Sequence, residues 1–265
     1  MQLTVNEFNL IENMFSFAIG VFGVSALFFL LQRNEVAPRY RVMLTLLFLV
    51  SVVACYNYVR LFEGWNNAFT IVNGEVRNTG HIYDDTFRYA DWLLTVPLLL
   101  VALVLSLDMP ARQARLRALM LASLAVEMIA LGYPGQISAS FETRWLWWTV
   151  SMVPFTLIVY QLLVSLASAI RNQPPGARAL VSAARFVTII VWCFYPLVFI
   201  MPMLGVTGKG SFVIAQVGYA LADIVAKACY GMLLYAVVAQ KSSPAAVAML
   251  DMGNGTVRPI RAQAG

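Results

Sequence analysis

The chain has 265 residues, of which 60% are hydrophobic and only 12% charged, with a formal net charge of +5. A soluble domain carries about 25% charged residues, so the composition excludes a soluble globular protein and points to a polytopic helical membrane protein. The basic excess is not a nucleic-acid signal, because the basic residues sit in loops between apolar runs.

In chain order, the N-terminal "MQLTVNEFNL" has no basic stretch ahead of an apolar core, so no cleavable signal peptide is expected. Seven apolar segments follow, at about 9–32, 40–62, 87–107, 114–134, 145–170, 183–204 and 211–240, each long enough to cross a bilayer as a helix. The breaker-rich connections are "RNEVAPRYR", "DMPARQAR", "GYPGQ", "RNQPPGAR" and "GVTGKG". In the longer second connection, Asn73-Gly74 lies between β-prone residues, a two-residue hairpin signal. Residues 1–240 form one seven-helix domain, and the tail over 241–265, rich in Ala, Gly and Ser, is expected to be poorly ordered. No fixed-period repeat stands out, which counts against inverted-repeat transporter folds.

Basic residues in alternate loops set the orientation. Arg33, Arg39, Arg41, Arg112, Arg115, Arg117, Arg171, Arg178, Arg185, Lys241, Arg258 and Arg261 fall on one side; Arg77 and Lys209 occupy the loops of the other. The N-terminus is therefore expected outside and the C-terminus in the cytoplasm. The single histidine, His81, lies in a loop, and Cys55, Cys193 and Cys229 lie unpaired inside apolar runs. No metal site is expected, and the chain is expected not to be an enzyme.

A few charges lie inside the spans or at their edges: Arg60, Arg88, Asp91, Glu127, Asp223 and Lys227. A charge near the bilayer centre costs at least about 2.5–3.5 kcal/mol. "RYADWLLTVP" puts Arg88, Asp91 and Thr95 on one helix face; Asp223 and Lys227, four apart, share another. Two carboxylates, a guanidinium and an amine sum to zero charge if they meet. Such a cluster suits a structural ion-pair network, an ion-coupled transporter, or a buried lysine that condenses with an aldehyde. The aldehyde reading needs a large apolar pocket. Trp192, Tyr195 and Phe199, with Pro196 to kink their helix, and Trp92, Trp147 and Trp148 supply rigid walls suited to a flat conjugated ligand.

"FRYADWLLTVPLLL", "WCFYPLVF" and "LADIVAKACYG" together resemble the microbial rhodopsins, closest in pattern to proteorhodopsin- and bacteriorhodopsin-type outward proton pumps. The resemblance implies all-trans retinal held on Lys227 as a protonated Schiff base, Asp91 as counterion and proton acceptor, and Asp223 as second counterion. It places Arg88, Thr95, Asn57 and Tyr58 on the proton pathway. It places Tyr89, Trp92, Leu99, Met128, Gly132, Trp148, Ser151, Trp192, Tyr195, Pro196, Phe199 and Ala226 in the retinal pocket. Asp, Thr and Asp at 91, 95 and 223 imply outward proton transport rather than chloride, sodium or inward proton transport. Leu99 implies green absorption. Trp148, where antenna-carrying relatives have glycine, implies no carotenoid.

The chain departs from the pump pattern in four places. Ala102 stands at the cytoplasmic donor position, eleven residues after Asp91. Asn57 replaces a histidine beside the acceptor and is expected to hydrogen-bond Asp91. Ala215 replaces a glutamate of the outward release group. Glu127, with no matching role, is either a surrogate relay acid or, the favoured reading, a neutral, buried, hydrogen-bonded structural acid. The leading reading is a light-driven outward proton pump without a carboxylic donor, in the inner cell membrane as a multi-pass protein surrounded by lipid. A trimer or pentamer is expected. A photosensory rhodopsin signalling to a transducer is the alternative, and a retinal-free transporter a third reading.

Overall fold

The computed structural model describes residues 2–243. Seven helical spans form a closed bundle. α1 (Val5–Gln32) packs on α2 (Arg41–Ala68), which is led in by a short 3₁₀ turn, Pro38–Tyr40. A hairpin of β1 (Phe69–Val72) and β2 (Glu75–Asn78) leads to α3 (Arg88–Leu105) and α4 (Ala111–Ile137). The fifth span is α5 (Phe141–Tyr160), a π turn at Gln161–Ser165, and α6 (Ala167–Arg171). α7 (Pro175–Ile200) forms the sixth. The seventh is α8 (Lys209–Asp223), a π turn at Ile224–Cys229, and α9 (Tyr230–Lys241). Neighbours in sequence pack together, and α8 returns to α1, closing the ring. The third and seventh spans are the most enclosed.

Local chemistry moves several boundaries from those expected. α1 starts at Val5 because Thr4 and Glu7 form a capping box: Thr4 Oγ1 accepts from Glu7 N at 3.2 Å, and Thr4 N donates to Glu7 Oε2 at 2.7 Å. α2 runs six residues past the expected end because Trp65, fully buried, anchors its last turn. Its ring meets Phe8 at 5.6 Å, Phe69 at 4.6 Å and Tyr83 at 5.3 Å. The hairpin forms where expected, Val72 pairing with Glu75. Asn73 (φ 54°) and Gly74 (φ 79°) both take left-handed conformations, as a type I′ turn demands.

The seventh span extends through Lys241, whose side chain is buried rather than part of a tail. Its Nζ donates to Ser106 O at 2.6 Å and Asp108 Oδ2 at 2.7 Å. The expectation of poor order beyond it concerns residues 244–265, which lie outside those described. Leu, Val and Ile side chains such as Val24 and Ile190 cover the outer surface, 71% and 70% exposed, as a bilayer-facing surface requires.

Glu127 is not buried: it lies exposed on the outer face of α4, without a hydrogen bond among the described residues. Ala125 and Ile129 face inward. At 100° per residue, the position midway between them points about 200° from either, so Glu127 faces away from the core.

Where α9 crosses α1, Gly231 lies against Phe29. A Cβ at that glycine would sit 2.7 Å from Phe29 Cζ and 3.5 Å from Leu47 Cδ2, and both partners are buried. Gly231→Val is expected to destabilise the bundle by about 1–3 kcal/mol. Thermal unfolding in detergent, followed by circular dichroism, checks this; an unshifted midpoint would mean that Phe29 yields freely.

Candidate functional site

The seventh span carries Asp223 as the last residue of α8 and Lys227 within the following π turn. The wider turn changes the rotational register of the helix, and such turns recur at functional sites. Both side chains point into the bundle, 1% and 2% exposed. α3 presents Arg88 and Asp91 to them, 3% and 1% exposed. The four groups meet as the charge sum requires. Lys227 Nζ pairs with Asp91 Oδ2 and lies 3.2 Å from Asp223 Oδ1; Arg88 Nη1 lies 3.8 Å from Asp223 Oδ2.

The two carboxylates are held differently. Asp223 Oδ1 accepts from Tyr195 OH at 2.7 Å and Trp92 Nε1 at 3.3 Å, and Oδ2 accepts from Tyr58 OH at 2.8 Å. Three neutral donors and two cations therefore surround one anion. Among the described residues, Asp91 has Lys227 alone as a side-chain hydrogen-bond partner, and its buried Oδ1 has none. Asn57 does not fill that place as expected. Its amide donates to Val53 O at 2.9 Å, one turn back on its own helix, and its Oδ1 is also without a partner among the described residues. Thr95 is buried one turn along α3, its Oγ1 donating to Asp91 O at 2.9 Å.

Above Lys227 opens an apolar cavity of about 780 Å³, counting its mouth. All twelve residues expected to line it do so: Tyr89, Trp92, Leu99, Met128, Gly132, Trp148, Ser151, Trp192, Tyr195, Pro196, Phe199 and Ala226. Pro196 O accepts from Trp148 Nε1 at 3.1 Å, a contact that fixes one wall. The walls also include Val96, Ile129, Met152, Phe155 and Tyr219, which the sequence reading missed. Helical periodicity offered the signal, since Val96 lies four residues from Trp92, Met152 four from Trp148, and Tyr219 four from Asp223.

A second network, also missed, leads from Arg88 toward the hairpin end. Gln216, 2% exposed, accepts at Oε1 from Arg88 Nη2 at 3.0 Å and Tyr83 OH at 3.1 Å. Its Nε2 donates to Asp85 Oδ2 at 2.7 Å. Gln216 precedes Asp223 by seven residues and so shares its face. Burial pushes the Tyr83 phenol well above its ordinary value, so it stays a donor.

Ala102 lies fully buried among apolar side chains, and Asp108 lies beyond it at the arginine-rich end. There Asp108 accepts from Tyr40 OH at 2.7 Å and from Lys241.

A family model described as bacteriorhodopsin-like protein matches residues 9–241. The chain belongs to the bacteriorhodopsin-like family. It is 29% identical to bacteriorhodopsin of Halobacterium salinarum over 215 residues, covering 80% of this chain and 78% of that protein. It is 27% identical to the green-light absorbing proteorhodopsin of a gamma-proteobacterium over 224 residues, 83% of each chain. The crystal structure of xanthorhodopsin, described as a light-driven ion pump with dual chromophore, superposes with a TM-score of 0.89 at 40% identity, covering 91% of this chain and 97% of that one. The chain is thus a microbial type 1 rhodopsin, a seven-helix multi-pass membrane protein.

Membership implies a retinal chromophore. The site fits one: a buried amine stands at the foot of an aromatic cavity, beside a carboxylate oxygen that nothing among the described residues satisfies. The expectation that the chain is not an enzyme is corrected by the comparison with a light-driven ion pump. A pump turns over, taking up and releasing its cargo without net change in itself.

Removing the Asp223 carboxylate would leave Arg88 without its buried counter-charge and strip Tyr58, Tyr195 and Trp92 of their shared acceptor. Asp223→Ala is expected to cost about 3–5 kcal/mol, the range for breaking a buried ion pair. Denaturant unfolding of the retinal-free protein measures it; a loss under 1 kcal/mol would show that the cluster contributes little to the fold.

Proposed function

We propose that this protein is a light-driven proton pump that carries protons from the cytoplasm outward across the inner cell membrane. The arginine-rich end faces the cytoplasm in this reading, in line with the bias of basic residues. The observation that carries the proposal is the unequal support of the two carboxylates flanking one buried amine.

Lys227 Nζ would hold all-trans retinal as a protonated Schiff base, and the bound chromophore would supply visible absorption and a light-driven isomerisation. The protein's own groups do the rest. Lys227 Nζ holds its proton between Asp91 and Asp223. Asp223 stays charged, because Tyr58, Tyr195, Trp92 and Arg88 are all arranged around its anion. Asp91 has an oxygen without a partner, where a proton can sit, so it is the acceptor. Two carboxylates in unlike surroundings thereby take two roles. Leu99, Leu100, Ala102 and Leu103, all buried, separate the amine from the cytoplasmic end and keep the accepted proton from returning that way. Trp148 occupies the wall where carotenoid-bearing relatives have glycine, so retinal is proposed as the sole chromophore.

In cells given retinal, illumination is expected to acidify the medium, and a protonophore to abolish the change. Alkalinisation, or no change, would overturn the reading. Lys227→Ala is expected to stay colourless after retinal addition. Asp91→Asn is expected to absorb further to the red and to stop pumping, because a lost counter-charge spreads the positive charge along the polyene.

With alanine at 102, no side-chain acid stands between Lys227 and Asp108 on the cytoplasmic half of α3. The replacement proton then comes from bulk water at the cytoplasmic end. Reprotonation is expected to slow as pH rises from 6 to 9 and to be accelerated by azide. Flash spectroscopy across that range checks it, and a flat, azide-insensitive rate would reveal an internal donor.

A further inference from the structure

We propose that Asp85 is the carboxylate through which protons leave this protein on the outward side, and that Gln216 is the positioning residue that ties it to Arg88. The inference rests on the outward-pump reading and names the exit of that same site.

The hydrogen-bonded groups run unbroken from the amine to the loop before α3. Lys227 Nζ lies 3.2 Å from Asp223 Oδ1, and Asp223 Oδ2 accepts from Tyr58 OH at 2.8 Å. Tyr58 OH accepts from Arg88 Nη1 at 3.1 Å. Arg88 Nη2 donates to Gln216 Oε1 at 3.0 Å, and Gln216 Nε2 donates to Asp85 Oδ2 at 2.7 Å. Everything up to Gln216 is buried; Asp85 is half-buried and is the first group to meet the surface. The amide of Gln216 is oriented by its contacts: its oxygen faces a guanidinium and a phenol, so its NH₂ must face an acceptor.

Three other acids at this end are used elsewhere. Asp84 closes a local turn, accepting from Thr86 N at 2.9 Å and Thr86 Oγ1 at 2.6 Å. Glu7 caps α1 and pairs with Lys209 at 3.1 Å. Glu75 pairs with Arg77 on the hairpin at 3.8 Å. Among the described acids at this end, Asp85 alone is hydrogen-bonded into the network of Arg88.

In the proposed step, the O–H of protonated Asp91 breaks and its proton crosses water beside Arg88. An O–H forms on Asp85, and that bond then breaks to bulk water, restoring both carboxylates. Arg88 remains charged throughout, held on one side by Tyr58 and Asp223 and on the other by Gln216, so its charge faces the proton's route and favours exit over return.

Asp85→Asn separates this role from a structural one, because asparagine still offers Gln216 Nε2 an acceptor and only the protonatable group is lost. The full chain with retinal, in lipid nanodiscs, is flashed. Time-resolved infrared spectroscopy follows the carboxyl C=O band of protonated Asp91, and a pH dye follows protons reaching the medium. Asp85→Asn is expected to slow the loss of the Asp91 band and the return to the resting state at least five-fold, with Asp85→Glu restoring them to within two-fold of the unmodified protein. Gln216→Met, which keeps the volume and cuts the tie, is expected to slow them about three-fold. If Asp85→Asn and Gln216→Met both stay within two-fold of the unmodified protein, Asp85 is a loop anchor and the inference is overturned. If Asp85→Asn fails to fold, the Gln216→Met result decides alone. If the unmodified protein delivers no protons to the medium, the pump reading itself fails and takes this inference with it.

Discussion

The structure depends on one constraint: a primary amine held inside a membrane protein must have its charge matched there. An isolated ammonium in a medium of low dielectric constant costs far more than the whole stability of a domain. Lys227 is therefore surrounded by Asp91 and Asp223, and Arg88 restores neutrality among the four. The requirement draws the third and seventh spans to the middle of the bundle and leaves the others to face lipid. It also explains why so many polar side chains converge on Asp223: an anion buried there needs every lone pair occupied.

Neutrality alone would make a structural clamp. What sets this cluster apart is that it is incomplete on one side. Among the described residues, Asp91 Oδ1 and Asn57 Oδ1 are both buried without a donor, whereas both oxygens of Asp223 have partners. Polar groups left unsatisfied in a core are costly and concentrate where a protein works. Beside them lies a cavity with aromatic walls, another departure from close packing. Both departures adjoin the same amine, which joins the fold to a chromophore-bearing role.

The two ends of the bundle are built differently. Toward the hairpin, polar groups continue from Arg88 through Gln216 to Asp85, beside the rings of Trp65, Tyr83 and Phe212. Toward the arginine-rich end, the interior is apolar until Asp108 and Lys241 close it. A proton released at the centre thus has a polar surrounding on one side and a hydrocarbon barrier on the other. In the proposed pumping cycle, whose chemistry is otherwise local, that asymmetry supplies the direction.

The seven spans, the hairpin at Asn73-Gly74, the four interior charges and the pocket aromatics were all legible in the sequence, because hydropathy, turn chemistry and helical spacing act locally. Glu127 was legible too, since the inward positions of Ala125 and Ile129 fix its outward direction, but the charge in an apolar run drew a reading of burial. The π turn at Lys227 was not legible, because nothing in "IVAKAC" demands a wider turn; contacts across the bundle select it. Nor did the sequence assign hydrogen-bond partners. Asn57 turns to its own helix instead of Asp91, and Gln216 joins Arg88 and Asp85, 128 and 131 residues away from it in the chain. Local periodicity determines which face a side chain takes, and so the sequence by itself determined which residues gather at the site. Which donor meets which acceptor depends on ångström-scale distances between separate helices, and only their packing decided that.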